Sequence, residues 1–351
     1  MRTIRMKTAK RLAGSFLGIL AATGLSVGIA NADTELTVYT AFEADQLKEY
    51  QQAFNKAHPD ITINWVRDST GIVTAKLLAE KENPQADVVW GLAATSLMLL
   101  NDQGMLEPYA PKGVEKLSPK FRDSANPPSW VGQDAYAAGI AFNIYEAEAK
   151  KLPKPTSWGD LTKPVYKGSI VMPNPNSSGT GFLMVSSWLQ LFGEEKGWAF
   201  MDALHENIGV YTHSGSKPAK MAGSGEFPIG FSFDYRIAAE KSKGAPLEVI
   251  FPSEGLGWEL EAGALIKGTD KLEAAQTLLD WAASREANEL YNQNFALVAM
   301  PGIAKPVENL PPPDKLEAML IDNDFTWAAQ NRDRILSEWQ KRYGVKSEPK
   351  E

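Results

Sequence analysis

The chain has 351 residues, with 36 Lys+Arg against 43 Asp+Glu, three histidines and no cysteine. The missing cysteines exclude disulfides, zinc–thiolate sites and thiol catalysis, and the acidic balance argues against nucleic acid or an anionic membrane as partner. A chain of this length without cross-links needs large cores, for which two domains are the expected solution. At the start, Arg2, Arg5, Lys7, Lys10 and Arg11 precede an apolar, Gly-rich stretch from Ser15 to Ile29, and Ala30-Asn31-Ala32 fits a small-residue cleavage site. Residues 1–32 therefore read as a secretory signal peptide, without which 31 basic residues face 43 acidic ones, a net charge of −12. No later stretch reaches the roughly 20 apolar residues of a membrane span, so the expectation is a soluble, exported, periplasmic protein.

ELTVYTAF alternates Leu36 and Val38 with polar neighbours and reads as a strand. In EADQLKEYQQAFNKAHP, Leu47, Tyr50, Phe54 and Ala57 recur at helical spacing up to Pro59. DITINWVRD alternates again, a helix is predicted from about Ile72 to Lys81, and ADVVWG is a short buried strand. This alternation is that of a parallel α/β sheet. A second set follows residue 140: a helix near SWGDL, a strand at GSIVMP, the loop NPNSSGTG, a long helix to Phe192, a helix near Pro218, the strand FPIGFSF, the helix YRIAAEKSKG, and strands at LEVIFP and LEAGALI. Helical spacing returns from Asp270 to Leu290, YNQNFALVAMP reads as extended, and KSEPKE as a solvated tail. The reading is two α/β lobes, residues 33–140 with 262–305 and residues 141–261, with crossovers near Ile140-Ala141-Phe142 and Glu261-Ala262-Gly263, and residues 306–351 packing on the lobes as a C-terminal helical segment with a tail.

Three strand-to-helix loops offer hydroxyls and backbone donors at a helix start: Thr40 to Glu43, Asp68 to Gly71, and Ser177-Ser178-Gly179-Thr180-Gly181. Unpaired N–H groups and the helix dipole favour an anion there. The last loop stands out for its adjacent serines and two glycines. Only Arg67, just before the second loop, adds a cation. Glu43, Asp234 beside Tyr235, and Glu259 beside Trp258 are the candidate partners of an ammonium group, held by carboxylate and aromatic face. Of the histidines, only His213 in THSGS is placed to approach a cleft, and SSGTG is not the GxSxG elbow of a hydrolase.

LTVYTAFE, AEKENPQADVVWG, NPNSSGTG and GFSFDYR together resemble the solute-binding proteins of bacterial ABC importers, in the branch that includes ferric-ion-binding proteins. The resemblance runs from about Leu36 to about Pro301. It implies the type II periplasmic binding protein fold, a ligand cleft between lobes, a membrane permease as partner, a monomer, and neither enzymatic activity nor cofactor. Iron carriers of that branch use two adjacent tyrosines where this chain has Asp234-Tyr235, and losing one phenolate counts against a ferric ligand. A closer resemblance is to 2-aminoethylphosphonate-binding proteins. It implies phosphonate oxygens on Thr40, Ser69, Thr70, Ser177, Ser178, Gly179 and Thr180, and an ammonium on Glu43, Asp234 and Glu259, with Tyr235 and Trp258 shaping the pocket. Phosphate, a sulfonate, a polyamine, thiamine or ferric ion on the same fold are the alternatives, with an exported serine hydrolase more distant.

Overall fold

The computed structural model describes residues 34–349; the signal peptide read at residues 1–32 lies outside them. The first run is β1 (Thr34–Thr40), α1 (Ala44–Ala57), β2 (Ile61–Arg67), α2 (Thr70–Ala79), β3 (Val88–Ala93), α3 (Ala94–Asp102) and the two-residue β4 (Leu106–Glu107). The second is β5 (Val131–Asn143), α4 (Ile144–Ala149), β6 (Ile170–Pro173), α5 (Gly179–Phe192), α6 (Glu194–Asn207), β7 (Ile208–Thr212), α7 (Lys217–Gly223), β8 (Ile229–Phe233), α8 (Asp234–Ser242) and β9 (Leu247–Ile250). The chain then returns through β10 (Trp258–Ile266), α9 (Leu272–Ala282), α10 (Arg285–Tyr291) and β11 (Leu297–Val298), and ends in α11 (Pro313–Glu317), α12 (Phe325–Gln330) and α13 (Arg332–Tyr343).

The strand order is β2-β1-β3-β10-β5-β8-β6-β7. It holds one pattern twice: β1 lies parallel to β2 and β3 and is closed off by antiparallel β10, while β6 lies parallel to β7 and β8 and is closed off by antiparallel β5. Each half has its own apolar core. Phe42, Tyr50, Trp90 and Trp281 fill one face of the first sheet and Leu92, Leu97 and Leu260 the other. Trp158, Trp188 and Phe231 fill the second half.

The two halves join where β5 and β10 run side by side, Val131–Ala137 against Trp258–Gly263. From Ala138 onward β5 changes partner and pairs with β8. The switch falls a few residues before the crossover read at Ile140, whereas the Glu261 to Gly263 crossover lies within β10. The sequence reading passed over most of β5 because QDAYAAGIAFN is rich in Ala and Gly and poor in β-branched residues. This strand is buried along its whole length, and burial on both faces overrides weak propensity.

Other elements differ from expectation: α3, α4, α6 and β7 stand where no element was read, and three were read differently. SWGDL forms only a 3₁₀ turn, Gly159–Thr162. The helix read from Asp270 to Leu290 is broken at Ser284, whose Oγ caps a new helix by accepting from the Ala287 N–H at 3.2 Å. The solvated tail is docked through Glu348: Ser347 bridges to Tyr211, the Glu348 N–H donates to the Tyr211 carbonyl at 2.9 Å, and its carboxylate meets Lys217 and the His213 N–H. Upstream of it, Ile335, Trp339 and Tyr343 of α13 pack into the second core.

Asp87, just before β3, ties the first half together. It accepts from the Thr37 N–H (2.7 Å) and the Thr269 hydroxyl (2.7 Å) and pairs with Lys271 (3.0 Å). Asp87→Ala is expected to cost about 2–4 kcal/mol, since it strands a buried N–H and an ammonium together. Urea unfolding of the variant measures this, and a loss below about 0.5 kcal/mol would show the network to be dispensable.

Candidate ligand-binding cleft

Each half sends one helix start toward the gap between them. α2 begins at Thr70 after the loop Asp68-Ser69, and α5 begins at Gly179 after NPNSS. The two ends meet: the Gly71 N–H donates to the Ser177 carbonyl at 2.8 Å across the gap, so the lobes are closed. Only glycine permits this approach. A Cβ on Gly71 would stand 2.3 Å from the Asn176 carbonyl oxygen, and one on Gly179 would stand 2.6 Å from Thr70 Oγ1.

Beside this contact lies a cavity of about 420 Å³, counting the part open to solvent. The first lobe lines it with Ala41, Glu43, Arg67, Ser69 and Thr70, the second with Ser178, Gly179, Thr180, Gly215 and Phe233, and the hinge strands with Tyr136 and Glu261. Ser178 Oγ caps α5 by accepting from the Gly181 N–H at 3.2 Å. Among the described residues, the N–H groups of Thr70, Gly179 and Thr180 meet no protein acceptor, and the Ser69, Thr70 and Thr180 hydroxyls are not taken up by side-chain bonds. Two positive helix ends thus converge on one wall. Arg67 stands with them, its Nε donating to the Phe42 carbonyl at 2.7 Å.

The acidic side differs in character. The Glu43 carboxylate sits between two guanidiniums, 3.7 Å from Arg67 and 3.2 Å from Arg236. Glu261 Oε2 is buried and has no partner. Burial, with the Glu43 charge adding to it, pushes the Glu261 carboxyl up to about 8. Its neighbour across the ladder on β5 is Asp134, fully buried with neither carboxyl oxygen bonded. Burial first, then the charges of Glu261 and Asp234, push that carboxyl well above the usual range.

Six of the residues expected from the sequence lie on the cavity wall: Glu43, Ser69, Thr70, Ser178, Gly179 and Thr180. Thr40 is buried behind it, its Oγ1 accepting from the Phe42 N–H at 3.0 Å. Ser177 spends its hydroxyl on the His213 carbonyl at 2.6 Å. His213 itself faces Asp68 across the gap, 3.4 Å away.

The remaining four are not brought to the cavity. Asp234 Oδ1 accepts from the N–H groups of Ala137 (3.1 Å) and Tyr235 (2.8 Å), pinning β5 at its change of partner. Glu259 accepts from the Thr95 hydroxyl (2.6 Å) and the Leu260 N–H (2.9 Å). Tyr235 packs on Phe295 with ring centroids 5.1 Å apart. Trp258 donates to the Ile321 carbonyl at 2.9 Å, on the C-terminal segment. Asp234 was read as a cleft group because strand ends point at clefts, and Glu259 because it stands near a crossover; here buried backbone donors claim them first. Arg67, Tyr136, Gly215, Phe233 and Glu261 are wall residues that were not assigned. Glu261 had a signal, standing two residues beyond Glu259 on the same strand.

The profile of the family described as bacterial extracellular solute-binding protein matches residues 83–332. An uncharacterized protein of Haemophilus influenzae is 32% identical over 328 residues, covering 91% of this chain and 94% of that protein. The structure of the periplasmic binding protein AfuA from Actinobacillus pleuropneumoniae, with exogenous fructose-6-phosphate bound, superposes with a TM-score of 0.83 at 31% identity, covering 89% of this chain and 99% of that one. A periplasmic protein of Salmonella paratyphi A proposed to bind 2-aminoethylphosphonate is 24% identical over 290 residues, 78% of this chain and 81% of that protein.

The buried carboxyls set a pH dependence. Glu261 is raised from 4.5 to about 8, and burial raises Asp234 and Glu259 to about 7. The folded protein therefore holds protons that the unfolded chain releases above about pH 4.5. Stability is expected to fall as pH rises from about 5 to about 8, approaching 1.4 kcal/mol per pH unit for each such carboxyl. Glu261→Gln should fall less over this range and be at least as stable as wild type at pH 8. Urea unfolding at pH 5, 6, 7 and 8 checks this, and parallel curves for the two proteins would refute it.

Proposed function

Because the chain belongs to the bacterial extracellular solute-binding proteins, we propose that its cleft captures a small phosphorylated organic solute of the sugar-phosphate class. The chain is the solute-capturing component of an ABC importer in the periplasm, in the ferric-ion-binding-protein-like branch. Its fold is that of the type II periplasmic binding proteins, and like its family it binds rather than transforms. The observation that carries the ligand reading is the convergence of two helix starts, with three unpaired N–H groups and Arg67, on one wall of the cavity.

In this reading the phosphoryl oxygens take the N–H groups of Thr70, Gly179 and Thr180 and the hydroxyls of Ser69, Thr70 and Thr180, with Arg67 alongside. The organic end lies against Tyr136 and Phe233. Glu261, with its carboxyl near 8, is largely protonated at pH 7 and can both donate to and accept from a hydroxyl. Fructose-6-phosphate in AfuA, at 31% identity, supports the class.

Closure follows from electrostatics. Each helix start carries about half a positive charge, so their repulsion is one term opposing closure, and an anion between them turns that term favourable. The ligand thus favours the closed lobes over the open ones and shifts the population by that difference.

2-Aminoethylphosphonate is the second reading, favoured by the carboxyls of Glu43 and Glu261 on the wall. Against it, Glu43 is already paired with two arginines, and Asp234 and Glu259 are engaged elsewhere.

Isothermal titration with fructose-6-phosphate, fructose, inorganic phosphate and 2-aminoethylphosphonate decides between them. Fructose-6-phosphate is expected to bind at least tenfold more tightly than any of the others; tightest binding by 2-aminoethylphosphonate would replace the first reading with the second. Gly179→Ala should weaken the ligand at least tenfold without lowering Tm, because Ala suits a helix better than Gly while its methyl blocks the approach to Thr70. Full affinity in that variant would show that the closed contact is not needed for binding.

A further inference from the structure

Arg236, in the first turn of α8, is 1% exposed. A permanent charge so deeply buried is costly unless paired and hydrogen-bonded. The pairing reaches across the lobes. Arg236 holds Asp45 in a two-pronged bond, Nη1 to Oδ2 at 3.0 Å and Nη2 to Oδ1 at 2.9 Å, and its Nη2 lies 3.2 Å from Glu43 Oε2. Both acids stand at the start of α1, in the first lobe. Arg236 belongs to the second: the next residue, Ile237, packs with Ala219, Ala222 and Leu247. On its own helix Arg236 meets Glu240 at 3.3 Å, and the Tyr235 ring lies 5.1 Å from its guanidinium carbon.

The charges around this contact divide unevenly. Arg67, Glu43 and Asp45 come from the first lobe and sum to one negative charge; Arg236, Glu240 and Lys243, the last 3.1 Å from Glu240, come from the second and sum to one positive charge. Closed, the cluster is neutral. Parted, each lobe keeps an uncompensated charge, and Arg236 loses its only two-pronged partner.

We propose that Arg236 is the positioning residue of ligand capture: it clamps the lobes shut through Asp45 and, by the same stroke, fixes the carboxylate of Glu43 on the cavity wall. Arg236 does not line the cavity, so it acts on the ligand only through Glu43 and through closure. The clamp favours the closed form even without ligand and, when ligand is bound, slows its escape. Arg236 is buried while Asp45 stays half exposed, so removing the acid's charge leaves a buried guanidinium without its two-pronged partner, which acts chiefly on dissociation.

The chain has no cysteine, so Lys48→Cys in α1 and Lys196→Cys in α6, both exposed, give one spin label on each lobe. Pulsed electron resonance on the ligand-free full-length protein should show a short-distance, closed population. Asp45→Asn and Arg236→Gln should deplete it, while Glu240→Gln, confined to one lobe, should keep it. Asp45 is half exposed at its side chain, so its variant keeps the fold even where Arg236→Gln does not. A closed population untouched by Asp45→Asn, an equal loss in Glu240→Gln, or no closed population in the wild type would overturn the clamp.

The second arm rests on the sugar-phosphate reading. By stopped flow with fructose-6-phosphate, Asp45→Asn should raise the dissociation rate about tenfold and leave the association rate within about twofold. An unchanged dissociation rate would overturn the clamp's effect on escape. If fructose-6-phosphate does not bind at all, that reading fails while the ligand-free distances still decide the clamp.

Discussion

The close approach of two helix starts governs this molecule. At Gly71 the backbone of one lobe donates to that of the other, and Gly179 stands hard against the Thr70 side chain, at a place where both lobes present positive ends. A Cβ at either position would force the lobes apart, and without negative charge between them the two dipoles repel. The positions of two glycines therefore set the depth of closure, and on the proposed reading the sign of what it encloses as well.

Everything behind that contact keeps the two ends aligned. β5 and β10 lie side by side through the hinge, and β5 then passes to the second sheet at Ala138. Asp234 accepts the Ala137 N–H at the point of exchange, where a strand changing partners would otherwise leave a buried donor unsatisfied. Glu259 does comparable service beside Thr95. Burial holds both carboxyls near 7, so close to neutral pH they sit between charged and uncharged forms.

How far the sequence revealed this depends on the kind of signal. The strand–helix alternation of the first lobe and the donor-rich loops before α2 and α5 were legible because periodicity and loop chemistry are local properties. The strand β5 was not: its residues are weak strand formers, and only burial on both faces makes them one. Asp234 and Glu259 illustrate the same limit at the site. Asp234 was read at a strand end and Glu259 near a crossover, but whether a carboxyl faces a cavity or a backbone N–H is decided by the strand alongside, which lies about 100 residues away in sequence for Asp234 and Ala137. Arg236 was invisible for the same reason, since its partners at Glu43 and Asp45 lie nearly 200 residues earlier.

On the proposed sugar-phosphate reading, the cleft has few cations for a site that holds an anion, on a chain with 43 acidic and 36 basic residues. Among the described residues, Arg67 is the one cation on the wall, and it is shared with Glu43. The rest of the wall's attraction comes from backbone N–H groups and hydroxyls, whose strength depends on exclusion of water and on geometry. A cluster of lysines would hold an anion in the open lobe nearly as well as in the closed one. Neutral donors split between two lobes do not: part the lobes and the ligand keeps half its partners, in water. Such a wall binds through closure and lets go on opening, which is what a carrier that must surrender its cargo to a permease requires.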